Sequence, residues 1–169
     1  LLAPPPGEAL DPISLPQVEQ ILVILRSMFP WVVVDLGLPL DEMAFAFLDG
    51  ADRIVMNVLP EMVGLRNTRL MLDQLRARGY PEERIWMVLS RANMKGGVAL
   101  EDIERRLKVR VRVQIADDQP LVTHSVNVGV PLSVSHPRSA LAKGFRSLAD
   151  MLVASAAPVP DASPAPARG

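Results

Sequence analysis

Apolar residues recur along this chain in two patterns, and each predicts a kind of element. Spacings of three and four predict helices with one buried face, and short continuous apolar runs predict buried strands. Val18, Ile21, Leu22 and Leu25 fall at i, i+3, i+4 and i+7, which predicts a helix opening at Ser14 and ending near Met28. Ser14 with Gln17 makes a capping box, and Pro16 is tolerated in the first turn. The run Trp31–Pro39, WVVVDLGLP, then carries three valines straight into Asp35. A β-branched run of this kind predicts a central strand buried on both faces, as in a parallel sheet. Gly37 and Pro39 end it, leaving the Asp35 carboxylate at the strand's C-terminal end, where open α/β sheets bind ligands. The plainer reading is that Asp35 caps the next helix.

The pattern continues in the same alternation. Asp41 begins a short helix, Glu42–Asp49, surrounded by Met43, Phe45, Phe47 and Leu48. Residues 53–58 (RIVMNV) predict a strand. Glu61 starts a longer helix with Leu65, Thr68, Leu72 and Leu75 on one side and Gly79 as its stop. Residues 85–89 (IWMVL) predict a strand, Gly96 and Gly97 a loop, and Leu100, Ile103 and Leu107 a helix ending before Val109. Val111–Ile115, flanked by Arg110 and Arg112, predicts a strand near an edge. A short helix follows over Gln119–Asn127, broken by Gly129. The last helix spans Ser139–Val153, with Leu141, Phe145, Leu148 and Leu152 as its stripe. Strands and helices joined by short loops predict a three-layer α/β domain with a mostly parallel, doubly wound sheet of four or five strands.

The ends read differently. Leu1-Leu2-Ala3 reads as the end of a strand, and Pro4, Pro5 and Pro6 force an extended loop. The chain starts at Leu1 rather than Met, so a fragment of a longer protein is expected. Residues 154–169, rich in Ala, Pro and Ser, are expected to be a disordered tail after a domain covering residues 1–153.

Composition narrows the chemistry. The 169 residues fit one domain, and with 49% hydrophobic but only 4% aromatic residues the core must be aliphatic. Net charge is −1, so there is no global basic field, and nucleic acid is not an expected partner. There is no Cys, which excludes disulfides, thiolate chemistry and Cys-zinc sites and fits a reducing cytoplasm. The longest apolar runs are strand length, far below the roughly 20 residues of a membrane span. No signal peptide is visible in LLAPPPGEAL.

Several motifs have competing readings. Lys95-Gly96-Gly97 looks like the start of a phosphate loop. It lacks a second Lys-Ser/Thr, and Glu101 and Asp102 would repel a phosphate from the following helix start, so a plain loop is expected. DLGLP resembles the phospho-acceptor strand of receiver domains, but the acidic pair, hydroxyl and Lys of that fold are missing. His124 and His136, without an acidic or Cys set, are expected to be surface residues, not zinc ligands. Ser125, Ser133 and Ser135 lie near them without a nucleophile elbow. Lys143 and Arg146 on the last helix give it at most a peripheral membrane role, and packing explains the stripe as well. Arg66, Arg69, Arg76 and Arg78 make the longest predicted helix basic, diluted by Glu61 and Asp73, which favours a solvated face over a docking surface.

The order of motifs adds a resemblance. Successive pieces are VVVDLGLPLDE, ADRIVMNVLPEMVGLRNTRLMLDQLRARGYPEERIWMVLSRANMKGGVALEDIE, IADDQPLVTHSVNVGVPL and SALAKGFRSLADML. Together, from Leu22 to Val153, they resemble the C-terminal two-thirds of ParA/MinD-type ATPases, closest to the CpaE/TadZ pilus-assembly branch. The resemblance implies a dimeric P-loop ATPase that uses ATP and Mg2+ in the localisation or assembly of a pilus or secretion machine. Its place would be the cytoplasm, at the cell pole or the inner face of the membrane. It implies that Asp35 is the switch carboxylate near Mg2+ and the attacking water, and that the backbone N–H of Gly37 senses the γ-phosphate. Ser90, Arg91, Asp117 and Asp118 would lie around the base. The chain departs from the pattern in three places. No G-x-x-x-x-G-K-[ST] loop or deviant form of it occurs, Ser90 stands where the family has Asn, and Ala116 replaces a common Pro. The family puts the phosphate loop upstream of the matched region, so this chain alone is expected not to hydrolyse ATP. The alternative is a degenerate, non-catalytic interaction or dimerisation module on the same fold.

Overall fold

The computed structural model describes residues 13–37 and 39–156. The expectations for Leu1–Pro12, for Leu38 and for the tail from residue 157 onward lie outside these residues. The chain divides into two compact units, Leu1–Asp52 and Arg53–Gly169.

The first unit is a helix pair. Helix α1, Leu15–Met28, starts where the capping signal puts it: Gln17 Oε1 accepts the Ser14 N–H at 2.8 Å. Helix α2, Glu42–Gly50, is capped by Asp41, whose carboxylate accepts the Ala44 N–H at 2.8 Å. Arg26 of α1 donates to the Gly50 carbonyl at 2.8 Å, placing a cation on the negative end of α2. Ala44, Phe45 and Leu48 are buried, whereas on α1 only Val18 is. Of the predicted α1 face, Leu22 and Leu25 are half-buried and Ile21 is exposed.

The valine run corrects the sequence reading. Residues 31–37 form no strand, and Trp31, Val33 and Val34 are 48%, 89% and 41% exposed. A β-branched run becomes a strand only when a neighbour completes its ladder. Among the described residues the sheet has three strands, not four or five, and this run is not one of them. Asp35 therefore lies in an irregular, exposed segment instead of at a strand end.

The second unit carries the sheet. Strand β1, Ile54–Val58, leads through helix α3, Met62–Ala77, to strand β2, Ile85–Ser90, and helix α4, Leu100–Leu107, leads on to strand β3, Val111–Ile115. All pairings are parallel in the order β1-β2-β3, with Met56 beside Met87 and Val58 beside Leu89. Between Met87 and Val88 the register on β3 steps by one extra residue. β2 is central, and Ile85–Leu89 are all buried, which is why that strand reads as an unbroken apolar run. β1 alternates: Ile54, Met56 and Val58 are buried, while Val55 and Asn57 are exposed.

Helices cover both faces of the sheet. Val88, Val113 and Ile115 cluster with Leu141 of helix α7, Ala140–Ser155, and with Val122, Leu132, Leu148 and Met151 around them. Met87 and Leu89 point the other way by the pleat and are equally buried. On α3 and α4, which touch each other, the buried side chains are Leu65, Thr68, Leu72, Leu75, Ile103 and Leu107. Thr68 meets its hydrogen-bonding need by donating to the Gly64 carbonyl at 2.8 Å. Helices α5, Gln119–Val128, and α6, Leu132–Ser135, complete the unit, and the single turn of α6 is an element the sequence reading lacked.

α7 corrects one more expectation. Phe145 is 45% exposed, and the packed face instead runs through Leu141 and Gly144 to Leu148 and Met151. A side-chain carbon on Gly144 would stand 3.1 Å from both the Gln114 carbonyl oxygen and the Ile115 Cα. Alanine gains about 1 kcal/mol over glycine in a helix, but overpacking against backbone costs about 1–3 kcal/mol. Gly144→Ala is therefore expected to lower stability by about 1 kcal/mol net in urea denaturation. A gain in stability would show that β3 yields freely to α7.

Candidate functional site

The C-terminal ends of parallel strands are where this architecture places ligands. β2 ends at Ser90, and Arg91 follows in the left-handed conformation at φ 54°. That conformation costs a non-glycine residue about 1–2 kcal/mol, so the chain is held there by its surroundings.

The loop from Arg91 to Ala99 ties the strand ends together. Ala92 N–H donates to the Ile115 carbonyl at 3.0 Å, reaching β3. Val98 N–H donates to the Pro60 carbonyl at 2.9 Å, reaching the chain just past β1. Gly97 fits so closely that an added Cβ would stand 3.1 Å from Pro60 Cβ. Lys95-Gly96-Gly97 is thus filled from behind by Pro60, and Glu101 and Asp102 occupy the first turn of α4. This agrees with the loop reading and not with a phosphate cradle.

Four of the expected site residues meet at this edge. Arg91 Nε lies 3.6 Å from Asp117 Oδ1, and Arg91 Nη2 donates to Gln119 Oε1 at 3.3 Å. The Arg91 and Asp117 side chains are 43% and 35% exposed, so their attraction contributes about 1 kcal/mol at most. Asp118 caps α5, its carboxylate accepting the Leu121 N–H at 3.1 Å. Ser90 closes the group as the half-buried last residue of β2. Asn93 and Gln119 belong to the cluster too, and the sequence reading passed over both. Asn93 in the string RANMKGG looks like any loop asparagine, and Gln119 like the first residue of a helix.

Asp35 and Gly37 lie in the other unit, both exposed. Among the described residues a Cβ built on Gly37 meets no atom within 4 Å, and the residue has no left-handed φ. Neither packing nor backbone conformation therefore requires glycine there.

The residues present can be set against Mg2+ and a nucleotide. Among the described residues no three His, Asp or Glu side chains converge on a point that would hold a metal ion. Mg2+ in nucleotide sites takes one or two carboxylates and completes its shell with phosphates and water, so a lone Asp35 suits that mode. The phosphates are another matter. No Gly-rich Lys-Ser/Thr loop occurs in these 169 residues, so that means of holding phosphates is not supplied by them.

The remaining candidates resolve simply. His124 and His136 come together edge to face, with ring centroids 6.2 Å apart, and no third ligand joins them among the described residues. On α3, Arg69 pairs with Asp73 at 3.4 Å and Arg76 with Glu82 at 2.6 Å. Donating that hydrogen bond to the Glu82 carboxylate raises the Arg76 pKa above its ordinary value. Arg69 and Arg76 are thus matched by acids, as on a solvated face. Among the described residues no helix is long and apolar enough to cross a membrane.

No protein-family model matches this sequence, and no curated protein matches it. Solved structures do match. A ParA family ATPase from Chlorobium tepidum TLS superimposes with a TM-score of 0.74 at 22% identity, over 80% of this chain and 57% of that one. The cell division protein MinD of Aquifex aeolicus gives 0.73 at 15% identity, over 88% of this chain and 64% of its own. MinD of Pyrococcus horikoshii OT3, solved with Mg-ADP, gives 0.69 at 18% identity, over 84% and 58%. The chain spans about three-fifths of the length of these structures. At such identities the likeness speaks for architecture alone, and that architecture, a parallel sheet between helices, is the P-loop NTPase-like fold of the ParA/MinD ATPases.

Proposed function

We propose that this chain is the C-terminal part of a CpaE/TadZ-like nucleotide-switch ATPase that localises or helps assemble a pilus or secretion machine. The observation that carries the reading is the order of motifs from Leu22 to Val153 on a chain with the ParA/MinD fold. In this reading the complete protein is a homodimer that binds ATP and Mg2+, with its phosphate loop in sequence preceding Leu1. Asp35 serves the metal and the attacking water. Gly37 brings its backbone N–H to the γ-phosphate, and the open space around it supports that role. Ser90, Arg91, Asp117 and Asp118 line the base side. A phosphate-dependent switch around Asp35 and Gly37 agrees with their exposed, irregular segment, since such switches are ordered by the γ-phosphate.

A second reading has an observation of its own. Asp117 and Asp118 are engaged by internal bonds, and the phosphate loop is absent from these residues, as a non-catalytic docking or dimerisation module would have it. Titration of the longer protein with ATP and Mg2+, followed by phosphate release, separates the two. Saturable binding and turnover in the longer protein, with none from the 169-residue chain, is the expected result. A longer protein that neither binds nor hydrolyses ATP would leave the docking module as the function.

A further inference from the structure

The ladder between β2 and β3 ends at Ser90 and Ile115, yet the pairing of the two chains goes on beyond it. Ala92 N–H donates to the Ile115 carbonyl at 3.0 Å. One residue later a side chain takes over from the backbone. Asn93 Oδ1 accepts the Asp117 N–H at 2.5 Å, and Asn93 Nδ2 donates to the Asp117 carbonyl at 3.5 Å. A single carboxamide thereby holds both main-chain groups of Asp117, as a paired strand residue would. Carboxamides offer an acceptor and a donor side by side, and the neighbouring residue types in this loop cannot copy that. The Ala92 side chain has neither, the Met94 thioether is at most a weak acceptor, and Lys95 only donates.

The bond sits at the centre of the cluster. On one side of Asp117 its carboxylate faces Arg91 Nε, and on the other Asp118 caps α5. Arg91 is the residue held in the left-handed conformation, which turns the chain after β2 toward the β3 end. Arg91 Nη2 then reaches Gln119. The turn from Ala116 to Gln119 is joined to the end of β2 by these contacts, and Asn93 grips its backbone at Asp117.

We propose that Asn93 is a positioning residue for the base side of the nucleotide site. It fixes the 116–119 turn against β2, so that Arg91 and Asp117 meet the bound base as a pair of set geometry. The proposal rests on the nucleotide reading above, and the experiment keeps the two apart.

The test uses the longer protein with Asn93→Ala and Asn93→Asp. Three quantities are read: hydrogen exchange at the Asp117 amide, affinity for N-methylanthraniloyl-ATP, and kcat at saturation. Asn93→Ala is expected to speed Asp117 exchange and to weaken nucleotide binding, each by about tenfold, the effect of losing two modest hydrogen bonds. kcat stays within about twofold, because the reacting phosphates lie elsewhere. Asn93→Asp keeps the acceptor, so the Asp117 amide stays protected. Unchanged Asp117 exchange in Asn93→Ala overturns the tie. Faster exchange with unchanged affinity overturns the positioning role, as does a fall in kcat at constant affinity. A wild-type protein that binds no nucleotide overturns the base-side role and the nucleotide reading together, while the exchange arm still decides whether Asn93 holds Asp117.

Discussion

Leu72→Ala is expected to destabilise the unit that carries the sheet by about 3–5 kcal/mol, the cost of deleting a fully enclosed leucine. Leu72 is 0% exposed on the inner face of α3, between Thr68 and Leu75. The cost has two parts, the lost transfer of the side chain from water and the cavity left behind. The cavity term dominates where neighbours cannot close in, and α3 is gripped by β1 on one side and α4 on another. At about 4 °C per kcal/mol the midpoint of thermal unfolding would fall by roughly 12–20 °C. Leu70, on the same helix but 54% exposed, is the control, and Leu70→Ala should stay within about 0.5 kcal/mol. Urea denaturation of the two variants measures this. Equal effects would mean that α3 does not bury the face described.

Asp35→Ala in the longer protein carries the largest expected effect on activity. Turnover of ATP should fall by about 100- to 1,000-fold or more, the scale for losing a group that stabilises charge where it develops. Stability should change by no more than about 0.5 kcal/mol, because Asp35 is exposed. That separation makes the result decisive: lost hydrolysis with an unchanged unfolding midpoint assigns the residue a chemical role. Unchanged hydrolysis would reject it and return Asp35 to an ordinary loop carboxylate.

Much of the fold was legible because local signals agreed with one another. On α3 the spacing of Leu65, Thr68, Leu72 and Leu75 named the buried positions one by one. In β2 the apolar run from Ile85 to Leu89 correctly marked a strand. The failure at Val32–Val34 has a physical cause. Hydropathy records what environment a residue favours, whereas a strand needs a second backbone alongside, and sequence pattern carries no information about that neighbour. The stripe on α7 failed for a smaller reason. Helical spacing admits Phe145 as readily as Gly144, and only the close approach to the β3 backbone makes the glycine face the inner one. At the candidate site Arg91, Asp117 and Asp118 were singled out by the family resemblance and not by a local pattern. The partner of Asp117 was not, because the Asn93 bond depends on how far apart two loops lie in space.

The lateral order of the sheet is also the order in which its strands are translated. When β2 leaves the ribosome its neighbour β1 is already present, and the same holds for β3 after it. Each new pairing closes one crossover and never has to bridge a strand still unmade, which keeps the entropy of loop closure low. The three strands from Ile54 to Ile115 can therefore assemble in step with their own synthesis, one crossover at a time.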